Sequence, residues 1–326
     1  MKAVLATAFG GPEVLQVTEI ARPVIQPRQV LIRVEKTSVN FADIKARIGS
    51  KGAGKLPFLP GLDAYGIIEE VGADIIHLKK GQRVIAFPLT GSYAEYVVAD
   101  EALTFAIPDA IDAETAAACP IVSFTSYKLL AEIARLERGE TVLIHAAAGG
   151  IGTTAIQLAK LLGAKQVIGT VGSARKAAIA LAAGADHVIC NDQDDFADKV
   201  NELTEGKGVN VILDSIAGAV TEKSMTCLAH YGRLVHFGNA SGEIGHIRTI
   251  DLHASCRSVL GFSFGTTRSK RPELLRDTAE KVLAYLADGS LKIKVGRQFP
   301  LEEAAKAHEW VESRQSTGKI LLNVGI

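Results

Sequence analysis

The sequence predicts an α/β protein in which a doubly wound parallel sheet is joined to a second, antiparallel domain of barrel or sandwich type. Three observations carry this. The first third alternates apolar and polar residues between turns rich in Gly and Pro, and after Ala113 apolar strands alternate with segments of helical length. The third is HAAAGGIG, His145 to Gly152, a glycine turn between the first of those later strands and the first of their helices.

The bulk properties set the limits. The chain has 326 residues, 48% of them hydrophobic, enough for two ordinary domains. Its 36 basic and 36 acidic residues cancel, so charge gives no case for binding nucleic acid or an anionic membrane. Cys119, Cys190, Cys227 and Cys256 have neither zinc-knuckle nor disulfide-framework spacing and read as reduced thiols of a cytoplasmic protein. Ala3 to Phe9 reads as a first strand rather than a secretory core, because a turn and acidic residues follow where cleavage would occur. Residues 141–159 carry no charge and approach membrane-spanning length, but Gly149-Gly150 and Thr153-Thr154 at their centre suit a strand, turn and helix.

In chain order, QVLIRVEK (29–36), GIIEEVG (66–72), GQRVIAF (81–87) and SYAEYVV (92–98) are half-buried strands, closed around Phe105 to Pro108. Residues 113–136 read as helix. The parallel strands are TVLIHA (141–146), QVIGTV (166–171), HVIC (187–190), VNVILDS (209–215), GRLVHFG (232–238) and SVLGFSF (258–264). Between them TTAIQLAKLLG, ARKAAIALAAG and TEKSMTCLAH read as helices. Residues 273–289 place apolar side chains at 275, 279, 282, 283 and 286, one face of a helix. KIKVGRQFP, the helix LEEAAKAHEWVESR and the strand GKILLNV follow, so the chain is expected to re-enter its first domain. The expected boundaries are 1–120 with 266–326 for that domain and 121–265 for the parallel sheet.

The glycine turn suggests a ligand. Gly149 and Gly152 hold the second and third positions of GxGxxG, which admit a pyrophosphate and let the helix pack. Ala147, in the first position, has only to make a tight turn, without positive φ. Alone, such a motif equally describes a packed helix start; the uncharged strand before it and the second strand through Gly169 point to a dinucleotide. An NAD site usually ends that second strand on Asp or Glu. Here GTVGSARK has no acid, and Gly172, Ser173, Arg175 and Lys176 follow. A basic pair on the first turn of a helix suits a 2′-phosphate, so NADPH is the expected cofactor; the alternative is a solvated surface pair.

SVNFAD (38–43), PGLDAYG (60–66), HAAAGGIG, GTVGSARK, ILDSIAG (212–218), FGNASG (237–242) and AHEWVESR (307–314) occur in this order. As a set they resemble the zinc-independent quinone oxidoreductases of the medium-chain dehydrogenase/reductase superfamily. The resemblance implies a GroES-like β-barrel domain built from both ends of the chain around a Rossmann domain, and a homodimer. Zinc-dependent members place Cys, His-Glu and Cys where this chain has Asn40, Leu62-Asp63 and Ile121, so no metal is expected. Without a Lewis acid the acceptor must be electrophilic by itself, which selects quinones and conjugated carbonyls. The expected reaction is hydride transfer from NADPH C4 to such an acceptor in a cleft between domains.

The same resemblance assigns roles. Asn40, Asp63 and Lys45 are the catalytic candidates, with Asn40 beside the nicotinamide; a strand-end Asn capping the next turn is its competing reading. Thr125, Lys128, Gly149, Gly150, Ile151 and Gly152 would meet the ribose and phosphates. Gly172, Ser173, Arg175, Lys176 and Asn191 would surround the adenosine end, and Ser215, Phe237, Gly238, Asn239, Phe262 and Phe264 the nicotinamide end. Arg314 either reaches the 2′-phosphate or is an exposed helix-end residue. Lys45 and Lys128 stand where bacterial members have Tyr, and Asn191 where a Tyr packs near the adenosine. Lys45 either favours carboxylated or polar acceptors or faces water. Two rival readings stand: an enoyl-thioester or alkenal reductase, which needs a Tyr that GSKGAGK (49–55) lacks, and a non-catalytic NADPH binder of lens-crystallin or vesicle-protein type.

Overall fold

A computed structural model describes residues 1–50 and 55–325. The chain forms two compact units, Met1–Phe124 with Arg268–Ile326, and Thr125–Thr267. In the first, β1 (Lys2–Ala6) and β2 (Leu15–Glu19) pair antiparallel. The spine is β3 (Gln29–Val39), followed at once by helix α1 (Phe41–Arg47). Next come β4 (Ala64–Val71), β5 (Arg83–Ala86), β6 (Tyr96–Asp100), β7 (Thr104–Ala106) and helix α2 (Ala113–Tyr127). Val30, Ile32 and Val34 of β3 point one way, as the alternation requires, and pack with Ile68, Val84 and Val97.

The second unit alternates β8 (Thr141–Ile144), α3 (Gly150–Leu161), β9 (Gln166–Val171), α4 (Ala177–Ala182), β10 (His187–Cys190), α5 (Phe196–Leu203), β11 (Val209–Asp214) and α6 (Ala219–Ser224). It continues through β12 (Leu228–His236), α7 (Thr249–His253), β13 (Ser258–Gly261) and α8 (Phe264–Lys270). All its strand pairs are parallel, in the order β10-β9-β8-β11-β12-β13. The chain then returns to the first unit with α9 (Arg276–Ala287), β14 (Val295–Pro300), α10 (Ala304–Glu312) and β15 (Lys319–Asn323). β15 pairs antiparallel with β3, giving the order β14-β15-β3-β4-β5-β7 with β6 also on β3. No helix among the described residues is long and apolar enough to cross a membrane.

Three expected segments end or change state earlier than the sequence pattern suggests. TEKSMTCLAH is not one helix: α6 stops at Ser224, and Leu228 joins β12, where it pairs with Val209 of β11. Burial by the sheet overrides a pattern that suits either state. SVLGFSF is strand only to Gly261, and Phe264 opens α8. The helix expected over 113–136 ends at Tyr127 and gives way to a π-helical turn, Lys128–Ile133, before Arg135 at φ 50. Arg233 fixes that exit by donating to the carbonyls of Ala134 and Arg135 while holding Glu140 with two bonds of 2.7 Å.

His145 ties the second unit together. Its Nδ1 lies 2.9 Å from Thr170 Oγ1 on β9, and its Nε2 lies 2.9 Å from Ser224 Oγ on α6. Ser224 Oγ already donates to Val220 O at 2.7 Å, so it accepts from Nε2–H, and Nδ1 accepts from Thr170. This neutral ring is satisfied, and burial pushes its pKa from 6.5 down to about 4. Below pH 6.5 the unfolded chain takes a proton that the folded ring refuses until about pH 4, so stability falls with pH across that window. His145→Asn should flatten the acid loss of stability by up to about 1.4 kcal/mol per pH unit. Thermal unfolding of both proteins between pH 7 and 5 checks this; equal slopes would contradict it.

Candidate functional site

In a doubly wound sheet, ligands sit beyond the carboxyl ends of the strands where the order reverses, here between β8 and β11. That edge gathers most of the sequence candidates: Gly149 to Gly152 after β8, Gly172 to Lys176 after β9, Asn191 after β10, Ser215 after β11, Phe237, Gly238 and Asn239 after β12, and Phe262 after β13. Phe264 lies farther on, as the first residue of α8.

The turn after β8 is strained one residue earlier than the motif implies. Ala146 takes φ 53, while Ala147 keeps an ordinary conformation and donates its N–H to Thr170 O at 2.9 Å. A left-handed alanine costs on the order of 1 kcal/mol. The Ala147 methyl faces β9, and a Cβ on Gly169 would lie 2.6 Å from it. The bulk missing from the motif's first glycine is therefore missing instead from Gly169. Gly152 is required by contact, since a Cβ there would lie 2.4 Å from Ala146 O. Gly149 is on the open side, where the nearest atom to a Cβ is 3.4 Å away.

The first bond of α3 runs from Thr153 N–H to Gly149 O at 2.9 Å, no side chain caps the helix, and its first turn holds no acid. The N–H groups of Gly150, Ile151 and Gly152 are therefore open to an anion at the positive end of a 12-residue helix. Ser126 Oγ donates to Ile151 O at 3.3 Å, bringing the end of α2 against this turn. Beside Ser126, Thr125 Oγ1 is buried with no hydrogen-bond partner among the described residues. Lys128 is buried and paired with Glu132 at 2.6 Å, so its charge is already neutralised.

At the end of β9, nothing lies within 4 Å of where a Cβ on Gly172 would be. Arg175 and Lys176 occupy a 3₁₀ turn, Ala174–Lys176, ahead of α4 rather than on that helix's own first turn as expected. Asn191 N–H donates to Val171 O at 2.9 Å, holding it beside this strand end. Asp214, fully buried, accepts from the N–H groups of Ile216 and Ala217 and from Thr221 Oγ1, which fixes the turn carrying Ser215. Ser215 O in turn accepts from Ala240 N–H at 3.0 Å, and a Cβ on Gly238 would lie 2.9 Å from it. Asn239 Oδ1 accepts from Gly242 N–H at 2.7 Å, closing the loop after β12.

The first unit carries a separate buried polar cluster. Asn40 closes β3 and caps α1, its N–H donating to Asp43 Oδ2 at 2.8 Å. Its carboxamide accepts from Lys319 Nζ at 2.7 Å and donates to Asp63 Oδ1 at 3.1 Å, with longer contacts to Ser38 Oγ at 3.3 Å and Ser38 O at 3.4 Å. Asp63 also accepts from Ser38 Oγ at 2.7 Å and from Ile121 N–H at 3.3 Å. The competing reading of Asn40 is thus partly realised: it is a cap as well as a member of the cluster. Burial pushes the Asp43 carboxyl up to about 7, with the Asn40 N–H opposing, and pushes the Lys319 ammonium down, with Asp63 and Asp43 opposing.

Lys45 stands apart. It lies on α1 with its ammonium 5.6 Å from the Phe41 ring centre and makes no ion pair among the described residues. Arg314 is exposed in the first unit, beyond α10, at φ 57. Residues 51–54 of the Tyr-free loop lie outside the described residues. Lys319 was missed by the sequence reading; its signal was a lone cation opening an otherwise apolar strand. Among the described residues no group of three or more His, Cys, Asp or Glu side chains is placed to hold a metal ion.

Residues 26–109 match the alcohol dehydrogenase GroES-like domain, and residues 150–280 match zinc-binding dehydrogenase. The chain is 38% identical to the quinone oxidoreductase of Pseudomonas aeruginosa over 98% of its own length and 99% of that protein's. It belongs to the zinc-independent quinone oxidoreductases of the medium-chain dehydrogenase/reductase superfamily. The structure of Escherichia coli quinone oxidoreductase complexed with NADPH matches with TM-score 0.92 at 34% identity, over 99% of this chain and 100% of that one. A human synaptic vesicle membrane protein VAT-1 homolog-like structure matches with TM-score 0.90 at 28% identity, over 100% and 98%. The fold is the superfamily's, a GroES-like domain with a Rossmann sheet. Although one matched family is named for zinc, the resemblance sets Asn40, Leu62 and Ile121 where its zinc-dependent members have thiol and imidazole ligands.

The Ala147–Gly169 fit predicts a size swap. Gly169→Ala should destabilise the protein by about 1–3 kcal/mol through overpacking, and Ala147→Gly in the same chain should recover most of that. Denaturant unfolding of the single and double variants checks it; an additive double variant would contradict the fit.

Proposed function

We propose that the protein is an NADPH-dependent quinone reductase that reduces quinones or other conjugated carbonyls without a metal. The observation that carries the cofactor assignment is the end of β9, where no carboxylate stands and Arg175 and Lys176 follow Gly172 and Ser173. An acid there would repel a 2′-phosphate, whereas this stretch gives it hydroxyl and cationic donors. The orphan Thr125 hydroxyl and the open N–H groups of Gly150, Ile151 and Gly152 fit a sugar-phosphate ligand. Asn191 fits the adenosine end, and Ser215, Phe237, Gly238, Asn239, Phe262 and Phe264 the nicotinamide end.

When bound, NADPH supplies the C4 hydride. The chain's residues bind and orient the reactants, and Asn40 offers one Nδ2–H, the one whose partners among the described residues are the long Ser38 contacts. Asp63 holds that carboxamide. The acceptor, quinone or enone, takes the hydride and one proton from water, so that NADPH and H⁺ give NADP⁺ and the reduced acceptor. Lys45, a cation with no carboxylate partner among the described residues, suits acceptors bearing negative charge. The free state of all four cysteines fits a reducing, cytoplasmic setting. A homodimer is part of the same reading, supported by β10 and β13, whose outer edges have no strand partner among the described residues. Light scattering should give twice the chain mass; the single mass would exclude the dimer.

The test is NADPH oxidation with 1,4-benzoquinone, 9,10-phenanthrenequinone, an alkenal and crotonyl-CoA. The quinones should be turned over fastest. Preference for crotonyl-CoA would replace this reading with an enoyl-thioester reductase. Tight NADPH binding without turnover would favour a binding protein, the reading that the vesicle-protein likeness supports. Arg175→Ala with Lys176→Ala should weaken NADPH by roughly 10²-fold while leaving NADH within about threefold. Equal affinity of the unaltered protein for both cofactors would refute the assignment.

A further inference from the structure

Lys319 is 4% exposed, yet it pairs directly with no carboxylate among the described residues. A buried ammonium costs several kcal/mol unless an anion or good acceptors compensate it. Its acceptors are neutral: Asn40 Oδ1 at 2.7 Å and Val39 O at 3.3 Å. Packing does not call for a cation here, since the next residues of β15, Ile320 and Leu321, fill the core as hydrocarbons. Gly318 delivers it: φ is 64, and a Cβ would lie 2.4 Å from Lys294 O. Lys319 N–H then donates to that carbonyl at 2.8 Å, starting the strand.

Between this cation and the Asp63 carboxylate stands one carboxamide. An ammonium can only donate and a carboxylate can only accept, so Lys319 at Oδ1 and Asp63 at Nδ2 fix which way the Asn40 amide faces. Flipping it would set N–H against ammonium and C=O against carboxylate. The ammonium at Oδ1 also draws charge away from the amide nitrogen, which strengthens its remaining N–H as a donor.

We propose that Lys319 is a positioning residue for hydride transfer, holding and polarising the Asn40 carboxamide so that its second Nδ2–H is presented to the acceptor oxygen that gains charge. This rests on the functional reading above, in which Asn40 faces the reactants. Lys319 transfers no proton in this role; the hydride carries both electrons, and the proton comes from water.

The experiment is a double-mutant cycle on kcat with NADPH and 1,4-benzoquinone. Lys319→Met should lower kcat by on the order of 10- to 10²-fold, with the NADPH Kd, read by cofactor fluorescence, changed less than about twofold. Asn40→Ala should lower kcat similarly, and the double variant should be no worse than the poorer single one, because Lys319 acts through Asn40. Losses that multiply in the double variant, or wild-type kcat in Lys319→Met, would overturn the proposal. If circular dichroism shows Lys319→Met unfolded, the cycle is run with Lys319→Gln, which keeps a donor without the charge; wild-type kcat there would overturn it too. A wild type that reduces no quinone sinks the functional reading and this inference with it, whereas an active wild type with an unaffected Lys319 variant sinks this inference alone.

Discussion

A carboxylate at 0% exposure must be met on every side by donors, and Asp63 sets that demand at the centre of the first unit. A hydroxyl from Ser38, a carboxamide from Asn40 and a backbone N–H from Ile121 answer it. These donors come from the end of β3, the cap of α1 and the body of α2, so one charge ties three elements together. Zinc-dependent members of the superfamily are expected to use the equivalent positions for ligands to a metal. Here the same positions satisfy an anion with protein donors, and the Lys319 ammonium is a positive charge held one amide away.

The second unit solves a different problem by subtraction. A pyrophosphate-binding turn needs bare backbone, and the chain leaves N–H groups open at the start of α3, keeps acids off its first turn and off the end of β9, and removes a methyl at Gly169 to admit the one at Ala147. The strain is concentrated at Ala146, where the neighbouring His145 anchors the turn to β9 and α6. A rigid turn with open donors is pre-organised for an anion, which reduces the ordering required on binding.

Much of this was legible in the chain. Alternation gave the strands of both sheets, and the strand ends after β8, β9, β10, β11, β12 and β13 coincide with the motif residues, because a parallel sheet delivers its loops to one edge. The packing role of Gly152 was readable because it follows from contact geometry at fixed spacing. The short helix α1 and the strand β2 escaped, since seven and five residues are too few for a period to show. The end of α6 and start of β12 escaped because burial by sheet neighbours, invisible in one segment, decided between two states that suit the same residues. Lys319 escaped for the same reason: its partners are 279 positions away for Asn40 and 280 for Val39, and sequence pattern carries no such information.

Protein donors and a fixed ammonium fill the Asp63 cluster, so turnover should need no metal. The most direct measurement is the NADPH:quinone rate of purified protein after prolonged 1,10-phenanthroline treatment, with metal content read by mass spectrometry. An unchanged rate and far less than one zinc per chain are expected. A loss of rate with chelation that added zinc restores would contradict it.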